Sequence, residues 1–149
     1  MSGNPLNAGQ IRILLADDDE DDRMMARDAL ETSLLTNPLD EVVDGIELIE
    51  HLDGLLESGG PLPGLILLDL NMPRMDGREA LAKIKGNPAL RHIPIVVLTT
   101  SKAEEDVYRT YDLGVNSFIS KPISFDGLVS VMTELGRYWL EMVELPKVA

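Results

Sequence analysis

The sequence has no cysteine among its 149 residues, which excludes disulfides, thiolate metal sites and cysteine nucleophiles. Bases are scarce. Thirteen lysines and arginines stand against 26 aspartates and glutamates, a formal charge of −13. A nucleic-acid or anionic-membrane partner calls for a basic face, so neither is expected. Apolar runs stop after about four residues, far short of the ~20 that cross a bilayer. The first ten residues, MSGNPLNAGQ, have neither the basic start nor the apolar segment of a secretory signal. No repeat recurs at solenoid or propeller periods, and no stretch is of low complexity. What is there is ordinary: 44% hydrophobic and 26% charged residues in a chain the size of one domain. These absences together predict a soluble, cytoplasmic single domain.

Apolar runs and polar punctuation alternate along the chain. Residues 1–10 are small and polar and are expected to be loose. Ile11, Ile13, Leu14, Leu15 and Ala16 read as a buried strand that stops at acids. Met25, Leu30 and Leu34 follow at helical spacing, closed by Asn37-Pro38. Val42 and Val43 predict a short second strand before Asp44-Gly45, then Ile46, Ile49, Leu52 and Leu56 a helix. Leu65–Leu68 predicts a third strand ending at Asp69, and Ala80, Leu81 and Ile84 a helix stopped by Gly86-Asn87-Pro88. Ile95–Leu98 predicts a fourth strand ending at Thr99, with a helix from about Ala103 to Leu113-Gly114. Ser117–Ile119 predicts a fifth strand ending near Lys121-Pro122. A last helix is expected from Ser124 to about Val143, striped by Leu128, Val131, Met132, Leu135, Trp139 and Met142.

Strands alternating with helices imply βαβ units, hence an α/β fold with a parallel sheet and helices on both faces. Right-handed crossovers bring all strand C-termini to one edge. Asp17, Asp18, Asp69, Thr99 and Lys121 therefore meet where open α/β sheets bind ligands.

Residues 17–22 are six consecutive acids. For Asp19, Glu20, Asp21 and Asp22 the plain reading is a solvated helix start, favoured by the helix dipole. Asp17 and Asp18 end a buried strand and join Asp69, and three carboxylates in one cleft repel unless a cation lies among them. An all-oxygen set favours a hard ion, Mg²⁺ first. Asp69 could act as a nucleophile toward a phosphoryl group, with a metal and Lys121 neutralising charge and the Thr99 hydroxyl binding a phosphoryl oxygen. A cis bond at Pro122 would swing Lys121 over the edge. Two rival motifs fail. Asp17, Asp19, Asp21 and Asp28 mimic a calcium loop, but Asp22 stands where glycine is needed and a strand precedes it. The Asp-x-Asp of a dehalogenase-type phosphatase lacks its following Thr or Val and its later acid pair.

ILLADDDEDD, LILLDLNMPRMDG, IPIVVLTTS and SFISKP, in this order, resemble the receiver domain of two-component response regulators over residues 11–143, leaving 144–149 as a tail. YDLGVNSFISKP and the ending RYWLEMVELP look like the stand-alone receivers paired with bacterial phytochrome histidine kinases. The resemblance implies a doubly wound, flavodoxin-like sheet of strand order 2-1-3-4-5. It implies that Asp69 takes a phosphoryl group from a sensor histidine kinase, with no other enzymatic activity than self-phosphorylation and autodephosphorylation. It implies Mg²⁺, with Mn²⁺ as a substitute, held by Asp18, Asp69 and the Asn71 backbone carbonyl, with Asp17 acting through water. Lys121 and Thr99 would bind the phosphoryl oxygens. Phe118 would be the aromatic switch, working through packing because it has no hydroxyl. Asn71 and Ser101 occupy the places that influence dephosphorylation. One helix and a tail after the fifth strand leave no room for an output domain, so output is expected through a downstream protein of unknown identity. Tyr138, Trp139, Leu140, Met142, Val143 and Leu145 suggest a homodimer through the last helix and its extension. The competing expectation is a constitutive adaptor that is never phosphorylated.

Overall fold

The apolar runs become strands. The computed structural model describes residues 11–33, 37–99, 114–115, 117–122 and 124–137. β1 (Ile13–Ala16), β3 (Leu65–Leu68) and β4 (Ile95–Thr99) are buried along their whole length. β2 (Leu39–Val42) and β5 (Ser117–Ser120) are mostly half-buried. All pairings are parallel, in the order β2-β1-β3-β4-β5. The half-buried strands are the two edges, and the continuous apolar strands lie inside, as a sheet covered on both faces requires.

Successive side chains of each inner strand go to opposite faces. Leu14, Ala16, Ile66, Leu68, Ile95 and Val97 pack with α2 (Gly45–Ser58) and α3 (Gly77–Lys85) in one core. Ile13, Leu15, Leu65, Leu67, Val96 and Leu98 pack with α1 (Glu20–Thr32) and α4 (Phe125–Leu135) in the other. Each helix among the described residues starts at a side-chain cap. Asp19, Asp44, Asp76 and Ser124 accept backbone N–H bonds from the first turns of α1, α2, α3 and α4 respectively. These short polar side chains satisfy donors that the helix itself leaves unpaired.

Three expectations change. The second strand begins at Leu39, not Val42, because Leu39 pairs in register with Ile13. It stops at Val42, whose carbonyl accepts from the Asp17 N–H, and Val43 is exposed. The buried stripe of α2 runs through Gly45, Leu48 and Leu52, with Ile49 half-buried against the core and Leu56 exposed. The Lys121–Pro122 bond is trans. The Lys121 N–H donates to the Thr99 carbonyl at 2.8 Å, so the β4–β5 ladder itself carries Lys121 to the edge. The helix expected at Ala103–Leu113, Ser101, and Tyr138 through Leu145 lie outside the described residues. No helix among the described residues is long and apolar enough to cross a membrane.

Candidate functional site

Between β1 and β3 the chain changes direction of travel across the sheet, and the strand C-termini open a crevice there. Ala16 and Leu68 are in register. The residues after them, Asp17 and Asp69, therefore leave the sheet side by side, and the Asp69 N–H still donates to the Ala16 carbonyl. Both carboxylates are buried, whereas Asp18 is exposed. One carboxylate oxygen from each of Asp17, Asp18 and Asp69 lies within 4.8 Å of the others. That donor set is hard, compact and anionic, and it fits a divalent cation with room for water on the Asp18 side.

Lys121 closes the other side. Its side chain is 11% exposed, and its Nζ donates to Asp17 Oδ2 at 2.7 Å, Asp22 Oδ2 at 2.9 Å and Asp69 Oδ2 at 3.2 Å. Burial works to lower the affinity of this ammonium for its proton. The bonds to Asp17 and Asp22 and the fields of Asp17 and Asp69 outweigh it, and the lysine is held firmly charged. The Asp17 carboxyl is pushed up by burial, with the Lys121 bond and the Asp19 N–H pulling it back.

The second oxygen of Asp69 is held by neutral donors. Oδ1 accepts from the Thr99 hydroxyl at 2.8 Å and from the Asn71 N–H at 3.0 Å. Thr99 in turn accepts from the Asn71 amide at 3.3 Å. Asp69 thus presents one face to Lys121 and the other to a hydroxyl at the end of β4. The loop after Asp69 is pinned from behind. The Gly77 N–H donates to the Leu70 carbonyl, and a Cβ on Gly77 would overlap the Asp69 carbonyl oxygen. Glycine is needed there for close approach of two backbones.

The structure brings Asp17, Asp18, Asp69, Thr99, Lys121 and Asn71 together at one edge, and Phe118 packs half-buried against the α2–α3 core. Two members were not expected. Asp22 touches Lys121, so it is more than part of a solvated helix start. Arg23 Nη1 donates to the Asp17 carbonyl at 2.8 Å while its Nε pairs with Glu41 at 3.3 Å. Neither contact was visible in the sequence, because the helical phase that aims Asp22 and Arg23 is set by the Asp19 cap.

The model of the response regulator receiver domain matches residues 13–133. The chain belongs to this receiver family. Phosphorylation by a histidine kinase is the general function of that family. The receiver is 42% identical over 135 residues to the response regulator Rcp1 of Synechocystis sp., covering 90% of this chain and 92% of Rcp1. It is 41% identical over 129 residues to the probable methanogenesis regulatory protein FilR2 of Methanothrix harundinacea, covering 86% and 83% of the two chains. Its fold matches the crystal structure of the phosphorylated cyanobacterial phytochrome response regulator RcpA with a TM-score of 0.86 and 37% identity, over 93% of this chain and 99% of that one. The Mn²⁺-bound form of Rcp1 matches with a TM-score of 0.81 and 40% identity, over 92% and 99%.

Proposed function

We propose that the chain is a phosphoryl-accepting signalling switch whose acceptor is Asp69. The observation that carries this reading is the pair of contacts on one buried carboxylate, Lys121 Nζ at 3.2 Å on one oxygen and Thr99 Oγ1 at 2.8 Å on the other. An Asp69 oxygen attacks the phosphorus of a kinase phosphohistidine. The new O–P bond forms as the P–N bond breaks, and the electron pair returns to the imidazole nitrogen. Lys121 and Thr99 then hold phosphoryl oxygens that would otherwise be unpaired. Asp18, Asp69 and the Asn71 backbone carbonyl would hold Mg²⁺ or Mn²⁺, with Asp17 reaching it through water. When bound, the cation supplies positive charge against the carboxylates and the incoming phosphoryl oxygens.

Phosphorylation adds charge and acceptor oxygens at the sheet edge, and movement of Thr99 frees or fills space beside Phe118. Phe118 has no hydroxyl, so it reports the change by packing. Resemblance to the phytochrome response regulators supports a phytochrome-type sensor histidine kinase as the donor, in the cytoplasm. Tyr138, Trp139, Leu140, Met142, Val143 and Leu145 support a homodimer through the last helix and its extension, with output to a protein target.

Acetyl phosphate with Mg²⁺, followed by intact mass, tests the reading. One added phosphoryl group is expected, lost in Asp69→Asn and in chelator. No gain with acetyl phosphate or with candidate kinases would move the reading to a constitutive adaptor.

A further inference from the structure

Lys121 has three ammonium protons and three carboxylate partners, so its donors are fully used. The Asp69 bond, at 3.2 Å the longest, yields as that carboxylate is esterified, and the two shorter bonds to Asp17 and Asp22 decide how freely Lys121 can follow the phosphoryl oxygens. Asp17 is a poor candidate for release, because its side chain is 5% exposed and its Oδ2 would be left buried without the ammonium, with only the Asp19 N–H on Oδ1. Asp22 is 34% exposed at the side chain and can pass its charge to water. Its place on α1 fits the same conclusion. An acid at the third helical position commonly reaches back to the N–H of the capping residue. Here the Asp19 N–H is already taken by Asp17 Oδ1 at 3.0 Å, and the Asp22 carboxylate goes to Lys121 instead.

Resting on the reading of Asp69 as acceptor, we propose that Asp22 is a positioning residue. Its 2.9 Å bond holds Lys121 back in the unphosphorylated state and competes with a phosphoryl oxygen for that ammonium. The contact sets a brake on phosphoryl transfer that the acids beside it do not share.

The test is the rate of phosphorylation by acetyl phosphate at saturating Mg²⁺, read by intact mass. In this reaction an Asp69 oxygen displaces acetate as the P–O bond of the donor breaks. Asp22→Asn is expected to raise the rate constant roughly two- to fivefold, the size of one partly exposed ion pair. Asp21→Asn removes the same charge from the same turn without touching Lys121, and is expected to stay near the wild-type rate. Asp22→Glu, which keeps the charge, should fall back toward wild type. Asp22→Ser serves as a second neutral variant should Asn perturb the helix start. Equal rates for wild type, Asp22→Asn and Asp22→Ser would overturn the proposal. So would an equal gain in Asp21→Asn, which would make the effect one of net charge. If the wild type itself takes no phosphoryl group, the acceptor reading fails and this inference falls with it. Labelling of the wild type with no effect of Asp22 removes this inference alone.

Discussion

Asp44 serves two partners with one buried carboxylate. It caps α2 through the Glu47 N–H at 2.8 Å and takes a two-pronged bond from Arg74, Nε at 2.7 Å and Nη2 at 3.1 Å. Arg74 lies in the loop after Asp69 at φ 65°, a region that arginine seldom adopts. Backbone strain is thus held by a bidentate ion pair, and the pair ties the loop after Asp69 to α2. The Arg74 guanidinium holds the Asp44 carboxyl below the usual carboxylate range. A depressed carboxylate stabilises the fold above its unfolded pKa, about 3.9. That stabilisation is lost as pH falls through the folded value. Urea melts should therefore find Arg74→Ala less stable than wild type at pH 7, with the difference shrinking below about pH 4. A pH-independent difference would show that backbone effects dominate. Asp44→Ala should cost more than Arg74→Ala, since it also removes a cap worth about 1 kcal/mol. Of the residues at the site, Asp17, Asp18, Asp69, Thr99 and Lys121 were legible because each ends or follows a strand, and parallel topology leaves strand ends together. Asp22 was not legible. Among six consecutive acids only the helix phase decides which one faces a lysine 99 positions away.

Two glycines in helices make opposite predictions. Gly77 opens α3 against the backbone of Asp69 and Leu70, where a Cβ has no room. Gly54 lies within α2 and has nothing near its missing Cβ. Gly77→Ala should cost about 1–3 kcal/mol as an overpacked contact. It should also slow phosphorylation, because the carbonyl it displaces belongs to Asp69, the proposed acceptor. Gly54→Ala should gain about 0.5–1 kcal/mol from helix propensity alone. Equal effects in thermal melts would contradict the packing argument. The strands were the readable elements: an apolar run that stops dead at an acid or a threonine has one interpretation in a parallel sheet. The phase of α2 was harder, because Ile46, Leu48, Ile49, Leu52, Leu55 and Leu56 crowd its sequence and allow more than one stripe. Packing chose Leu48 and Leu52. The edge strand β2 was misread by three residues because LDEV carries little apolar signal, and its place is set by pairing with β1.

A charge of −13 bears on how copies of this receiver meet. Two such chains repel at long range, and salt screens that repulsion with a Debye length of about 10 Å at 0.1 M. If residues 138–145 pair two copies, sedimentation should find a dimer that tightens as salt is raised, and Trp139→Ala should shift it to monomer. A wild type that stays monomeric at all salt concentrations would remove the homodimer. The same acidity protects the sheet. LILL at β3 is the kind of uncharged, strongly apolar segment that joins foreign strands when bared. It sits in the centre of the sheet, with two strands to one side and two to the other. Among the described residues the outermost strands are LDEV, with Asp40 and Glu41, and SFIS, with its two serines. Charges and hydroxyls on both margins make a foreign strand a poor partner there. Loosening at either margin therefore leaves LILL covered by the strand beside it on each side.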